Sequence, residues 1–337
     1  MNQLPYRPHP LIRSGHLQTL MVGVRCGWRP PYRAKEIVVP LHDGESLVVH
    51  EELGDATPSN APLSILIHGL GGDHRSPYLQ RIAHRLAIAG HRVWRVDLRG
   101  CGAGLNHAWR PPHAGRSLDL AAVIVRAARE YPQAAINVAG FSLSGNIVLK
   151  MLGEAGANQL QLDLPLDRIQ LALAIAAPVD LSVCADNMDR VSRRIYTKYY
   201  LRVLADQVNQ RRSIWPQWKQ IPATPTVRTI RQFDSRYTAP LSGFQDTDHY
   251  YSESSSISKL TSIVTPTLIL IDRHDPIVTS RIFRTISLNA DSTNLVFTER
   301  GGHMGYFGLD ASGKVIRWME YFVQNQLLRG TNDTGPC

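Results

Sequence analysis

Along most of the chain, short apolar runs of β type lead into glycine-containing loops, and these lead into segments whose apolar residues recur at helical spacing. Leu63 to Ile67 is one such run. It ends in His68-Gly69-Leu70-Gly71-Gly72, after which Ser76-Pro77 supplies a helix cap with proline at the first helical position. Leu79, Ile82, Ala83 and Leu86 then make an apolar helical face that Gly90 closes. The same order returns with the strand Val93 to Leu98, the loop Arg99-Gly100-Cys101-Gly102 and a helix from about Leu118 to Glu130. It returns again with the strand residues Ile136, Val138 and Ala139 and the helical face of Ile147, Val148, Met151 and Leu152. Ile169 to Ala176 is almost wholly apolar, as expected of a parallel strand covered on both faces. Upstream, Glu36 to Val39 and Ser46 to Val49 flank His42-Asp43-Gly44 as a hairpin.

After Asp180 the alternation stops, and residues 182–262 read as helices and loops with an apolar stripe of Val191, Ile195, Tyr199 and Val203. It resumes with a strand at Thr267 to Ile271, a helix near Arg281 to Leu288, a strand at Asn294 to Phe297 and a last helix carrying Val315, Trp318, Met319 and Phe322. Strand, loop and helix in succession predict an α/β fold with a mostly parallel sheet. The expected division is an irregular N-terminal wrap over 1–33, a core over 34–181 and 263–330, a helical cap inserted at 182–262, and a tail at 331–337.

Candidate chemistry collects where these strands end. Ser142 stands between a strand and a helix in Gly140-Phe141-Ser142-Leu143-Ser144-Gly145, close to the Gly-x-Ser-x-Gly elbow that pushes a serine out of a sharp turn. Ser144 takes the place of the motif's last glycine. A serine hydroxyl needs a base to act as a nucleophile, and the base needs a partner that fixes its tautomer. Two later strands run into Asp272-Arg273-His274-Asp275-Pro276 and Glu299-Arg300-Gly301-Gly302-His303. His303, behind two glycines, is the expected base. Asp275 is preferred to Asp272 as its partner because it lies deeper in its loop, and His274 is expected to face solvent. The backbone N–H groups of Leu70 and Leu143 are the expected donors to an oxyanion.

Together the strings SGHLQTL at 14–20, HGLGG at 68–72, SPY at 76–78, RGCG at 99–102, SLSGN at 142–146, TAPLSGF at 238–244 and GGHMGY at 301–306 resemble the YheT-like family of α/β-hydrolases, short-cap serine esterases. The resemblance spans nearly the whole chain. It implies an α/β-hydrolase fold with an inserted helical cap, carboxylic-ester hydrolysis through an acyl-enzyme, and Ser142, Asp275 and His303 as nucleophile, acid and base. It departs from the family at Ser144, where a slightly wider turn is expected. Acyl transfer on the same triad is the alternative, as is a ligand-binding protein that keeps the pocket without the chemistry.

Composition narrows the rest. With 43% hydrophobic residues, 337 residues supply a large core, and neither a leader-like N-terminus nor a membrane-length apolar run is evident, so a cytoplasmic protein is expected. Cys26, Cys101, Cys184 and Cys337 are scattered without zinc-site spacing, so free thiols and no metal or organic cofactor are expected. The net charge of +9 is concentrated: residues 180–240 hold eleven Lys and Arg against five Asp. No nucleic-acid motif accompanies them. A small-molecule or lipid ester is the expected partner, with weak association of the basic cap to anionic surfaces and no nucleic-acid binding.

Overall fold

The apolar runs become one eight-stranded sheet in the computed structural model, which describes residues 5–22, 28–55, 57–221 and 227–329. The strands are β1 (Lys35–Pro40), β2 (Ser46–Glu52), β3 (Leu63–Ile67), β4 (Arg92–Asp97), β5 (Ile136–Phe141), β6 (Ile169–Ile175), β7 (Thr267–Asp272) and β8 (Thr293–Thr298). They lie in the order β1-β2-β4-β3-β5-β6-β7-β8. β1 and β2 pair antiparallel, β2 joins β4 antiparallel, and every later pairing is parallel. The α/β expectation therefore holds. Every residue of β3 and β5 is buried, because helices cover both faces of the sheet.

The pleat divides the core. Ile65, Ile67 and Val138 face one way, against helices α3 (Ser117–Glu130) and α4 (Leu143–Gly156), while Leu66, Ala139 and Phe141 face α2 (Pro77–Ile88) and the C-terminal helix. Each fully buried Leu or Ile contributes roughly 1.5–3 kcal/mol, so the sheet is a rigid platform for the loops at its strand ends. Between β6 and β7 run α5 (Leu181–Met188), α6 (Arg194–Ile214), α7 (Pro216–Lys219), α8 (Ile230–Phe233), α9 (Ala239–Leu241) and α10 (Thr247–Ser254). The C-terminal helix is α11 (Trp318–Arg329), and a small ribbon pairs β9 (Phe307–Leu309) with β10 (Val315–Arg317).

Three local expectations differ from what is observed. The N-terminal segment is not irregular throughout, because α1 occupies Gly15–Val22. The Ser14 hydroxyl accepts the Leu17 N–H at 3.0 Å and starts this helix. Its buried residues are Gly15 and Gln18 while Leu17 and Leu20 are exposed, so no apolar periodicity announces it. The helix expected at 281–288 is a single turn, Ile282–Arg284, where the Thr285 hydroxyl donates to the Ile282 carbonyl and competes with helix continuation. Val315 belongs to β10 and pairs with Leu309, so the last helix begins only at Trp318. The 331–337 tail, Cys26 and Cys337 lie outside the described residues.

A buried ion cluster braces the hairpin end of the sheet. Arg99, fully buried, donates to Asp119 at 2.9 Å, to Asp43 at 2.7 Å and to Glu45. Burial alone would disfavour its charge, but Asp119 and Glu45 hold the guanidinium pKa above its ordinary value. Arg99→Met would leave these carboxylates short of their shared cation. Urea unfolding should then give about 3–5 kcal/mol less stability than wild type. A change below about 1 kcal/mol would show that the cluster is not a major support.

Candidate active site

At the end of β5 the backbone turns into α4 through Ser142, held at φ 52° and ψ −117°. A side chain disfavours this left-handed region, so the surrounding structure must enforce it. The Ser142 N–H donates to the Ile175 carbonyl at 2.8 Å, and the Gly145 N–H returns to the Ser142 carbonyl at 2.8 Å. A Cβ at position 140 would stand 2.3 Å from the Ser144 carbonyl oxygen, which is why glycine opens the turn. Ser144 is fully buried, and its hydroxyl donates to the His68 carbonyl. The hydroxyl that replaces the elbow glycine therefore ties α4 to the loop after β3.

His303 reaches this turn from the loop after β8. Its Nε2 lies 2.9 Å from Ser142 Oγ, and its Nδ1 lies 2.8 Å from Asp275 Oδ2. An ionised carboxylate accepts only, so Nδ1–H donates to Asp275, which leaves Nε2 to accept the serine O–H. The other carboxylate oxygen of Asp275 accepts the N–H groups of Ile277 (2.7 Å) and Val278 (2.9 Å). Both Asp275 and His303 are buried. Asp272 is engaged differently, accepting from the backbone N–H groups of His274, Gly301 and Gly302 and from the Thr298 hydroxyl. Burial raises its pKa although these donors work the other way. Asp272 thus fastens the acid loop to the histidine loop without touching the imidazole, while His274 is exposed.

The loop after β3 is pinned just before Leu70. His68 Nε2 accepts the Leu98 N–H at 3.1 Å, so its Nδ1–H donates to the Gly69 carbonyl at 2.8 Å. Burial pulls the His68 pKa down and favours this neutral form. The Gly69 N–H donates to the Tyr78 hydroxyl at 3.1 Å. Among the described residues, the N–H groups of Leu70 and Leu143 find no acceptor, and both residues line the cavity that contains Ser142.

Two cavities meet at Ser142. The inner one, of ≈ 100 Å³, is walled by apolar groups such as Leu181, Met188, Leu204, Val208 and Phe233. Its polar wall includes Asp234, pushed up to about 6 by burial while Thr238 and Tyr251 donate hydrogen bonds to it. His113, buried among apolar groups, is held well below its ordinary pKa. The outer one, of ≈ 730 Å³, runs past His303, Thr19, Tyr196, Tyr199, Asp73 and Arg75. Tyr200 lies on both. Trp218 lines the inner cavity and Trp215 packs beside it, their indole N–H groups donating to the carbonyls of Trp109 (2.6 Å) and Leu105 (2.9 Å) respectively. These contacts seat the inserted helices on the core.

Sequence reasoning missed α1 as part of this site. Thr19 Oγ1 accepts the His303 N–H at 2.8 Å while its own O–H donates to the Gly15 carbonyl at 2.7 Å. Gln18 brackets Phe307, donating to its carbonyl at 2.9 Å and accepting its N–H at 2.7 Å. Gly302, at φ 63°, has room for no side chain, since a Cβ would stand 2.2 Å from the Gly15 carbonyl oxygen. The string SGHLQTL carried this information, but only as a resemblance.

Among the described residues, one group elsewhere has metal-ligating side chains: His50, His74 and Asp97, all buried. Asp97 accepts from His50 Nε2 (3.0 Å), His74 Nδ1 (2.8 Å) and the N–H groups of His74 and Ala103. Its oxygens are committed to these donors, so the group reads as a tie that holds the 73–76 loop to the end of β4.

A family model described as the alpha/beta hydrolase fold matches residues 64–308. The chain belongs to the α/β-hydrolase family. It is similar to the Escherichia coli (strain K12) protein named "Putative esterase YheT", 29% identical over 87% of this chain and 84% of that protein. It is also similar to the human phospholipase ABHD3, 25% identical over 89% and 73% of the two chains. A Saccharomyces cerevisiae monoacylglycerol lipase is 27% identical over 76% and 57%. Among solved structures, Est1E from Butyrivibrio proteoclasticus superposes with TM-score 0.53 at 14% identity, covering 88% of this chain and 98% of that one. An esterase from Pyrobaculum calidifontis superposes with TM-score 0.56 at 14% identity over 94% and 88%. These superpositions share the fold.

In this α/β-hydrolase, Thr19 touches the backbone of His303, so any effect it has on the site should pass through that loop. Thr19→Val keeps the shape and loses the acceptor, and should slow fluorophosphonate labelling of Ser142 by roughly tenfold at unchanged melting temperature. Thr19→Ser should restore the rate. Equal labelling of all three proteins would reduce α1 to packing.

Proposed function

We propose that the protein is a serine esterase in which Ser142, His303 and Asp275 act as a triad on carboxylic esters. The observation that carries this reading is the continuous chain of hydrogen bonds from Ser142 Oγ through His303 to Asp275, set where two cavities meet. His303 Nε2 takes the serine proton as Oγ attacks the ester carbonyl. The negative oxygen so formed is held by the Leu70 and Leu143 N–H groups, and Asp275 stabilises the imidazolium. The imidazolium then gives its proton to the leaving alkoxide, which departs as the alcohol and leaves an acyl-Ser142. Water, deprotonated by the same nitrogen, releases the carboxylic acid and returns the proton to the serine.

The cavities supply an orientation. The inner one is apolar and closed over by α5 and α6, and suits the acyl chain; the wider outer cleft, with Asp73, Arg75 and Thr19, suits the alcohol and the incoming water. Helices between β6 and β7 thereby act as the cap. The same acyl-enzyme could pass its acyl group to a second alcohol, but the outer cleft is broad enough to admit water, which favours hydrolysis. A ligand-binding role without chemistry leaves the bonded, buried Asp275 and His303 without a purpose.

Ser142→Ala should lower turnover of p-nitrophenyl butyrate by about 10⁶-fold at unchanged fold. Asp275→Asn should cost roughly 10⁴-fold by leaving the imidazole in the wrong tautomer. Asp272→Asn should act mainly on melting temperature, and the reverse ranking of the two aspartates would exchange their roles. Fluorophosphonate found on Ser144, with Ser142→Ala still active, would move the nucleophile.

The orientation has its own test. Ala185, buried on α5 and lining the inner cavity, should on change to Leu shift preference toward shorter acyl chains by ~1–3 kcal/mol across a graded p-nitrophenyl ester series. A uniform loss at all chain lengths would place the acyl chain elsewhere.

A further inference from the structure

The residues around the mouth of the outer cleft are of a kind that neither catalysis nor packing requires. On α1, Leu17, Leu20 and Val22 are exposed; on and before α6, so are Val191 (74%), Ile195 (55%) and Tyr199 (57%). Leu20, Val22, Ile195 and Tyr199 all line the same cleft, and His16 Nδ1 bonded to the Tyr196 hydroxyl at 2.8 Å fastens the two helices side by side. Large apolar side chains therefore flank the opening that leads to Ser142.

Cations are interleaved with them. Arg190, Arg194, Lys198 and Arg202 are exposed, and the last three recur every fourth residue along α6 beside Ile195 and Tyr199. None of the four pairs with a carboxylate among the described residues, and Asp206 is the single acidic residue in α6. The opposite face of the helix is buried through Tyr196, Thr197, Leu204 and Val208. A helix with one face in the core and the other offering basic and apolar groups to solvent has the composition of an interfacial element. Nucleic acid would take the charges but give no place to Leu17, Val191 and Ile195.

We propose that the mouth of the outer cleft, formed by α1 and the start of α6, is a docking surface for an anionic lipid bilayer. Arg190, Arg194, Lys198 and Arg202 lie against the acidic headgroups, and Leu17, Val191 and Ile195 enter the headgroup boundary. Docked this way the cleft faces the bilayer, so an amphiphilic ester passes toward Ser142 without crossing bulk water. The surface is argued from exposure and charge, and it stands whether or not Ser142 is the nucleophile.

Cosedimentation of the full chain with vesicles tests this. Wild type should bind vesicles containing phosphatidylglycerol, bind phosphatidylcholine alone much more weakly, and lose binding as salt rises. R190E/R194E/K198E/R202E should lower the bound-to-free ratio by at least about tenfold. L17S/V191S should lower it several-fold at every salt concentration. Both variants should hydrolyse a short soluble ester, and melt, as wild type does, since none of these residues lines the cleft. Equal binding to both vesicle types, undiminished binding by either variant, or equally tight binding of a single-stranded oligonucleotide that the apolar variant leaves unchanged would overturn the proposal.

Discussion

Everything at this site depends on a serine held in a backbone conformation that its side chain opposes. At φ 52° Ser142 projects off the end of β5 toward His303, and only a rigid frame can keep it there. The frame is the parallel pairing of β5 with its neighbours, where Phe141 stands opposite Ile175 and the Ile175 carbonyl takes the Ser142 N–H. The first turn of α4 closes it from the other side. Gly140 is part of the same constraint, because the turn brings the Ser144 carbonyl to where a side chain would be. The strain is thus offset by burial of the sheet on both faces.

Polar ties between loops do the remaining positioning. Ser144 joins the elbow to the β3 loop, Asp272 joins the acid loop to the histidine loop, and Thr19 joins the histidine loop to α1. The first two are buried hydrogen bonds and the third is half-buried; loss of any of them leaves an unpaired group, so each costs more to break than its net contribution to stability suggests. The loops after four different strands, β3, β5, β7 and β8, become one unit in this way, although their residues are far apart in sequence.

What can be read from the sequence follows the same division. Strand ends are legible because runs such as Leu63–Ile67 and Ile169–Ile175 are apolar but for Ser64 and Gln170, and residues placed just after them have to gather at one edge of a parallel sheet. Ser142, Asp275 and His303 can therefore be nominated from position alone. Asp272 is set apart from Asp275 by depth in the loop, but its engagement with Gly301 and Gly302 is not foreseeable, since it depends on how two loops fold together. α1 is illegible because it is held by Gly15, Gln18 and Thr19 while its leucines face outward, the reverse of an amphipathic pattern. The short turn at Ile282–Arg284 misleads in the opposite direction: apolar spacing is present, and local threonine chemistry prevails.

The helix α6 shows why net charge could not be interpreted from the sequence. Its basic residues and its apolar stripe are both evident there, yet they imply different things according to which side faces the core. In the fold, Leu204 and Val208 turn inward to wall the cavity beside Ser142, while Ile195 and Tyr199 turn outward among Arg194, Lys198 and Arg202. One helix therefore divides an apolar interior from a charged, partly apolar exterior, and the path between them passes the serine. A solvated basic face accounts for the cations alone. It does not account for the exposed Val191 and Ile195 set among them, or for Leu17 and Leu20 on the neighbouring helix, and these residues direct the charge toward an interface.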